Sequence, residues 1–271
     1  MNYSDVTANV VKIVIEAGKK ILDIYNSGDF EVEMKSDNSP LTLADRVGNA
    51  YITENVSRLY PDFGILSEES KMTNDRLDKS HVWVIDPLDG TKEFIKRNGE
   101  FTVNVALVED GIPVSGVVGI PVKDEIYYAS KGGGAYHMDA SGRVCQIKTS
   151  KRDEIQDMVM VKSRSHASEA LQHLIDTYPF AEVKESGSSI KICLIADGLA
   201  DVYFRFGFTN EWDICAAHCV LQEAGGLLTD GYGDIMNYNK KDPLNRRGFI
   251  ASNNSLHDKL IDIASQYLPD S

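Results

Sequence analysis

The stretch HVWVIDPLDGTKEF, His81 to Phe94, runs an apolar strand directly into two acids, a proline, a glycine and a threonine. Two carboxylates three residues apart repel each other unless a positive group sits between them, and a metal ion would be that group. Pro87 lacks an N–H and fixes its own φ, so it stiffens the turn, while Gly90 lets backbone approach a ligand closely. Asp86 and Asp89 then read as hard oxygen ligands, with the Leu88 carbonyl between them. Mg²⁺ suits such a set: a few carboxylates, retained waters and substrate phosphate. Gly90 and Thr91 open a helical turn whose free N–H groups can hold phosphate oxygens.

Outward from this stretch, further acids fall where elements begin or end: Asp45 near a helix start, Glu68 after the strand FGILS, and Asp213 opening another helix. Taken singly, Asp45 and Asp213 serve helix N-termini through the dipole. Helices are expected from Ser4 to about Asn26 and from about Thr42 to Leu59, with a short strand over Phe30, Val32 and Met34 between them. Phe101–Pro121 reads as a hairpin turning at EDG, and EIYYASKGGGAYHM as a second one around glycines. The first half is therefore α+β, helices on a largely antiparallel sheet. After about Ser150 strands and helices alternate as an α/β layer. The expected division is 1–150 and 151–271.

The 271 residues include 41 acids against 28 lysines and arginines, a net charge of −13. That balance opposes nonspecific nucleic-acid binding, which needs a basic surface. A small anionic substrate remains compatible where local lysines and bound cations reverse the field within one cleft. Four scattered cysteines fit a reducing cytoplasm. Cys215, His218 and Cys219 share a helix face and imitate half of a zinc site, but no second ligand pair accompanies them. No secretory leader or membrane span is legible, so a cytoplasmic protein is expected, peripheral attachment to the cytoplasmic face of the inner membrane remaining compatible. There is no G-x-S-x-G, H-E-x-x-H or G-x-x-x-x-G-K-[ST], and the glycines at 132–134 read as a hairpin turn.

WVIDPLDGTKEF, with SEES upstream and EWDICAAHCVLQEAGG downstream, resembles the lithium-sensitive, magnesium-dependent phosphatases that include inositol monophosphatase and fructose-1,6-bisphosphatase. Within them, SDNSPLTLAD, DPLDGTKEF, SRSH, GSSIKICLIADGLADVY and EWD are similar to the 3'(2'),5'-bisphosphate nucleotidases of the bacterial CysQ type, which remove the 3'-phosphate of adenosine 3',5'-bisphosphate. The resemblance implies a five-layer αβαβα sandwich, two or three Mg²⁺ ions, Li⁺ as inhibitor, and a monomer or homodimer. It implies Glu68, Asp86, Asp89, Asp213 and the Leu88 carbonyl as metal ligands, and Asp45 with Thr91 as the pair activating water. Substrate contacts implied are Ser163 and His166 of SRSH and Gly187 and Lys191 of GSSIK, beside Glu68, Leu88, Asp89, Gly90, Thr91 and Asp213. The segment around Phe204 and Phe208 departs from the family in lacking prolines.

Two other functions fit parts of the pattern. An inositol or sugar phosphate phosphatase would share the metal site and differ in SRSH and GSSIK. A silent Mg²⁺- or phosphate-binding regulator would retain the acids without turnover.

Overall fold

The computed structural model describes residues 1–35, 40–164 and 168–268. Helix α1 (Tyr3–Ser27) buries Val6, Val10, Val14, Ala17 and Ile21 along one stripe and ends at Gly28, in the left-handed region. A two-stranded ribbon, β1 (Glu33–Met34) with β2 (Pro40–Leu41), leads to α2 (Leu43–Leu59). The strand expected from Phe30 is thus reduced to its last two residues.

The first sheet contains β3 (Gly64–Ser67) and β4 (His81–Asp89), then, after the single turn α3 (Thr91–Ile95), β5 (Thr102–Glu109), β6 (Ile112–Ile120), β7 (Glu125–Ser130), β8 (Gly134–Met138) and β9 (Val144–Ile147). These seven strands lie in sequence order, with β3 and β4 parallel and the rest antiparallel. Both anticipated hairpins form, and the glycines at 132–134 make the β7–β8 turn. Strand β9 was not anticipated: three of its four residues are exposed, so no apolar alternation marks it.

The second half runs β10 (Val159–Ser163), α4 (Glu169–Thr177), β11 (Glu182–Ser186), α5 (Ile190–Ala196), β12 (Val202–Arg205), β13 (Thr209–Asn210), α6 (Glu211–Glu223), β14 (Leu227–Asp230), β15 (Leu244–Asn245), β16 (Phe249–Ser252) and α7 (His257–Ser265). Its sheet has the order β11-β10-β12-β16-β14, parallel among the first three and antiparallel to β16 and onward.

Alternation along the strands sets the layers. Trp83 and Ile85 of β4 face α1 and α2, whereas Val82 and Val84 face α5 and α6. In the second sheet Val161 and Tyr203 face those same helices, and Met160, Val202 and Phe204 face α4 and α7. The order is helix, sheet, helix, sheet, helix. Truncating such fully buried side chains to alanine costs about 2–5 kcal/mol each.

Helix α6 lies within this central layer. Cys215, Cys219 and His218 are buried there, and His218 Nδ1 meets the Tyr238 hydroxyl at 2.7 Å. These three side chains serve as core rather than as half of a zinc site. Burial pulls the His218 imidazole down to about 4. Between that value and the usual imidazole range the unfolded chain binds the extra proton, so acidification removes stability. In urea unfolding, His218→Phe should be less stable than wild type at about pH 7 but lose less stability on going to about pH 5. Equal losses in the two proteins would mean that His218 does not titrate on unfolding.

Candidate active site

The decisive local feature is a break in register. Asp86 pairs with Asn104 and Asp89 with Thr102, so β4 uses three steps where β5 uses two. On a regular strand side chains alternate, and residues three apart point to opposite faces. The bulge at Pro87–Leu88 absorbs the odd residue and turns both aspartates to the same face. Both line one cavity of about 270 Å³, together with Glu68, Leu88, Gly90, Thr91, Ser163, Gly187, Lys191 and Asp213. Asp45 lies behind this wall, and His166 falls outside the described residues.

Asp45 and Asp213 each occupy the third position of their helix, so each also caps it. Asp45 Oδ2 accepts the Thr42 N–H at 2.7 Å and the Thr42 hydroxyl at 2.5 Å. Asp213 Oδ2 accepts the Asn210 N–H at 2.7 Å. The capping and site roles are therefore compatible, because a carboxylate has two oxygens. Asp86 and Asp89 follow the same rule. Asp86 Oδ1 accepts the Leu88 N–H at 3.0 Å, and Asp89 Oδ2 the Ser189 N–H at 2.7 Å. The last bond ties the Asp86–Asp89 turn to the start of α5. The Ser189 hydroxyl also meets Thr102 at 2.9 Å and Asn104 at 2.8 Å, the two residues opposite the bulge.

Charge crowding is visible in the acidities. Burial, then the charges of Glu68, Asp89, Asp213 and Asp45, hold the Asp86 carboxyl well above the usual range. Burial and the neighbouring Asp89 do the same to Asp213. Burial lifts Asp89 to about 6, although Lys191 and the Ser189 N–H act in the opposite direction. Burial also raises Asp45, against the two Thr42 hydrogen bonds. Among the described residues, no three His, Cys, Asp or Glu side chains stand at metal-ligand spacing. The acids share a cavity and feel one another's charge without converging on a point. Their chemistry nonetheless fits a hard divalent cation: all donors are oxygens, and Asp86, Asp89 and Asp213 each have one oxygen anchored on a backbone N–H.

Thr91 bridges the groups behind and within the cavity. Its hydroxyl lies 3.4 Å from Asp45 Oδ1 and 3.4 Å from the Leu88 carbonyl, both long contacts. Catalytic hydrogen bonds are often long before substrate binds. Lys191 is buried, donates to the Ser188 carbonyl at 2.6 Å and sits 5.2 Å from the Tyr203 ring centroid. Burial brings its ammonium down to about 8, with Asp89 acting against that.

Sequence reading missed two cations here. Lys35 Nζ bonds Glu68 Oε1 at 2.7 Å and also pairs with Glu69. Its position just before SDNSP, itself a singled-out motif, was the available signal. Arg205, at the end of β12, lines the cavity; its buried Nε has no hydrogen-bond partner among the described residues, while Nη2 donates to the Phe208 carbonyl at 3.1 Å. Nothing in YFRFG distinguishes it from a surface arginine until the fold brings β12 beside Lys191.

Residues 2–268 match the inositol monophosphatase family. The chain belongs to that family of phosphatases, which depend on divalent metal. Among its relatives, the 3'(2'),5'-bisphosphate nucleotidase CysQ of Salmonella typhimurium is 38% identical over 245 residues, covering 89% of this chain and 96% of that protein. The crystal structure of CysQ from Bacteroides thetaiotaomicron is 39% identical, with a TM-score of 0.79 over 93% of this chain and 97% of that one. The suppressor protein suhB of Bartonella henselae shares 26% identity and a TM-score of 0.83 over 97% of this chain and 99% of its own.

Asp45→Asn retains an acceptor for the Thr42 N–H, so it should cost less than the roughly 1 kcal/mol expected when a capping side chain is lost to alanine. Turnover should still fall at least about tenfold, because the amide cannot take a proton from Thr91. Thermal unfolding and kcat measured together test this, and near-wild-type turnover would leave Asp45 as a cap alone.

Proposed function

We propose that the chain is a Mg²⁺-dependent 3'(2'),5'-bisphosphate nucleotidase, hydrolysing the 3'-phosphate of adenosine 3',5'-bisphosphate to AMP and phosphate. The observation that carries this reading is the presence of Lys191 and Arg205 in the same cavity as Glu68, Asp86, Asp89 and Asp213. Acids that hold cations suffice for one phosphate; two further cations, Lys191 buried and Arg205 half-buried, suit a substrate with a second anionic group. The nucleotidase relatives of Salmonella typhimurium and Buchnera aphidicola, 38% and 35% identical over most of this chain, support the same substrate.

Glu68, Asp86, Asp89, Asp213 and the Leu88 carbonyl would hold the metal. When bound, divalent ions would neutralise charge on the scissile phosphate and lower the pKa of water. The free N–H groups at Gly90 and Thr91 orient phosphate oxygens. Thr91 Oγ1 takes a proton from the attacking water as its own passes to Asp45 Oδ1, which burial has made more basic. Thr91 thereby keeps a free carboxylate from facing the anionic phosphate directly. Lys191 and Arg205 hold the second phosphate, and Ser163 and Gly187 line the nucleotide pocket; His166, the other contact expected from SRSH, lies outside the described residues. The first 150 residues supply most metal ligands; residues 151–271 supply the pocket and Asp213.

The four free cysteines suit a reducing cytoplasm. Among the described residues no helix is long and apolar enough to cross a membrane. The role that follows is clearance of the nucleotide by-product of sulfate assimilation or sulfonate transfer, with Li⁺ as an inhibitor.

Phosphate release from adenosine 3',5'-bisphosphate, inositol 1-phosphate and fructose 1,6-bisphosphate should favour the nucleotide, vanish with chelator and fall with Li⁺. Preference for a sugar or inositol phosphate would overturn the substrate and leave the metal site. Asp213→Asn should lower apparent Mg²⁺ affinity and kcat together by about tenfold or more, since it removes charge from a ligand. An unchanged Mg²⁺ dependence would remove Asp213 from the metal site.

A further inference from the structure

The cavity wall formed by β10 belongs to the second half, yet it is fastened to the first half by a side chain that nothing above uses. Arg164 follows Ser163, which lines the cavity. Its Nε donates to Glu100 Oε2 at 2.9 Å and its Nη2 to Glu100 Oε1 at 2.9 Å, a bidentate fork onto the segment between α3 and β5. Nη1 reaches Glu185 Oε2 of β11 at 3.3 Å. The guanidinium therefore links the tips of two second-sheet strands to the segment just ahead of β5.

Glu100 is itself wedged against the site. A Cβ placed on Gly187 would stand 2.7 Å from the Glu100 carbonyl oxygen, closer than real side chains come. A Cβ on Gly90, whose φ is +94°, would stand 3.1 Å from the same oxygen. The backbone of Glu100 thus fills the gap between the two glycine turns that lead into Thr91 and Lys191. Its side chain runs along Gly187, with Oε2 3.3 Å from that same Cβ position, and its carboxylate meets Arg164.

A pair this exposed, with 43% of the Arg164 side chain and 23% of the Glu100 side chain accessible, adds little to global stability. A planar fork does fix direction as well as distance. We propose that Glu100 and Arg164 are positioning residues: their ion pair holds the end of β10, with Ser163, at the separation from the Gly90–Thr91 turn that substrate requires. The proposal goes beyond the nucleotide reading and does not rest on it.

The test is a double-mutant cycle of Glu100→Ala, Arg164→Ala and both together, run with whichever phosphomonoester the wild type hydrolyses. Failure of the nucleotide reading would show in the wild type's own substrate preference, and so is a separate result. Each single variant should raise KM about five- to tenfold, with kcat within about twofold and thermal midpoint little changed, and the double variant should be no worse than either single. Arg164→Lys, which keeps charge but not the fork, should fall between. An unchanged KM, or effects of the two singles that multiply, would overturn the proposal. So would a fall in kcat and thermal midpoint with KM intact, which marks a structural brace. Glu100→Gln keeps shape and serves the same comparison should an alanine variant fail to fold.

Discussion

Concentrated negative charge in a partly dry cleft is the constraint that organises this molecule. Two carboxylates about 4 Å apart repel by roughly 4 kcal/mol at an effective dielectric of 20. Several acids in one cavity would be untenable without compensation, and the surrounding structure supplies it in layers. Asp86, Asp89 and Asp213 each fix one oxygen on a backbone N–H. Glu68 is met by Lys35, and Asp89 lies within the field of Lys191. The remaining imbalance appears as carboxyl groups held protonated to higher pH than usual, and a hard cation is what would relieve it.

The same compensation ties the halves together. The Ser189 N–H that steadies Asp89 comes from the second half, and the Ser189 hydroxyl reaches Asn104 and Thr102 of the first. Helix α6 brings Asp213 to the cavity at its N-terminus and buries its body between the two sheets. Its capping acid therefore sits on an element that cannot shift without disturbing the largest core cluster. Rigid placement of this kind is what a charge cluster needs, since small displacements change electrostatic energies steeply at short range.

Most helices and strands were legible because each carries a clear apolar period: the stripe from Val6 to Ile21, the hairpins after Phe101, the alternation after Ser150. Strand β9 was not, since its residues are exposed and its conformation comes from pairing with β8. The candidate ligands could be named from residue type and from motif, but not why Asp86 and Asp89 share a face; that depends on register against β5, which no local signal encodes. Lys35 and Arg205 escaped for a related reason. A lone cation announces nothing until the chain places it opposite an acid or inside a cavity.

The bulge in β4 separates what Leu88 does as a side chain from what it does as backbone. Its isobutyl group is part of the α1–α2 core, while its carbonyl and N–H belong to the site. Apolar exchanges at that position are therefore a matter of packing alone, as they would be anywhere in the core. Chain length is another matter: removing either Pro87 or Leu88 would restore two steps against two and keep both aspartates on one face, but it would abolish the bulge whose backbone N–H meets Asp86 and whose carbonyl lies near Thr91. In this segment the irregularity serves the backbone between the acids, and the count of residues, more than their identity, decides which way that backbone turns.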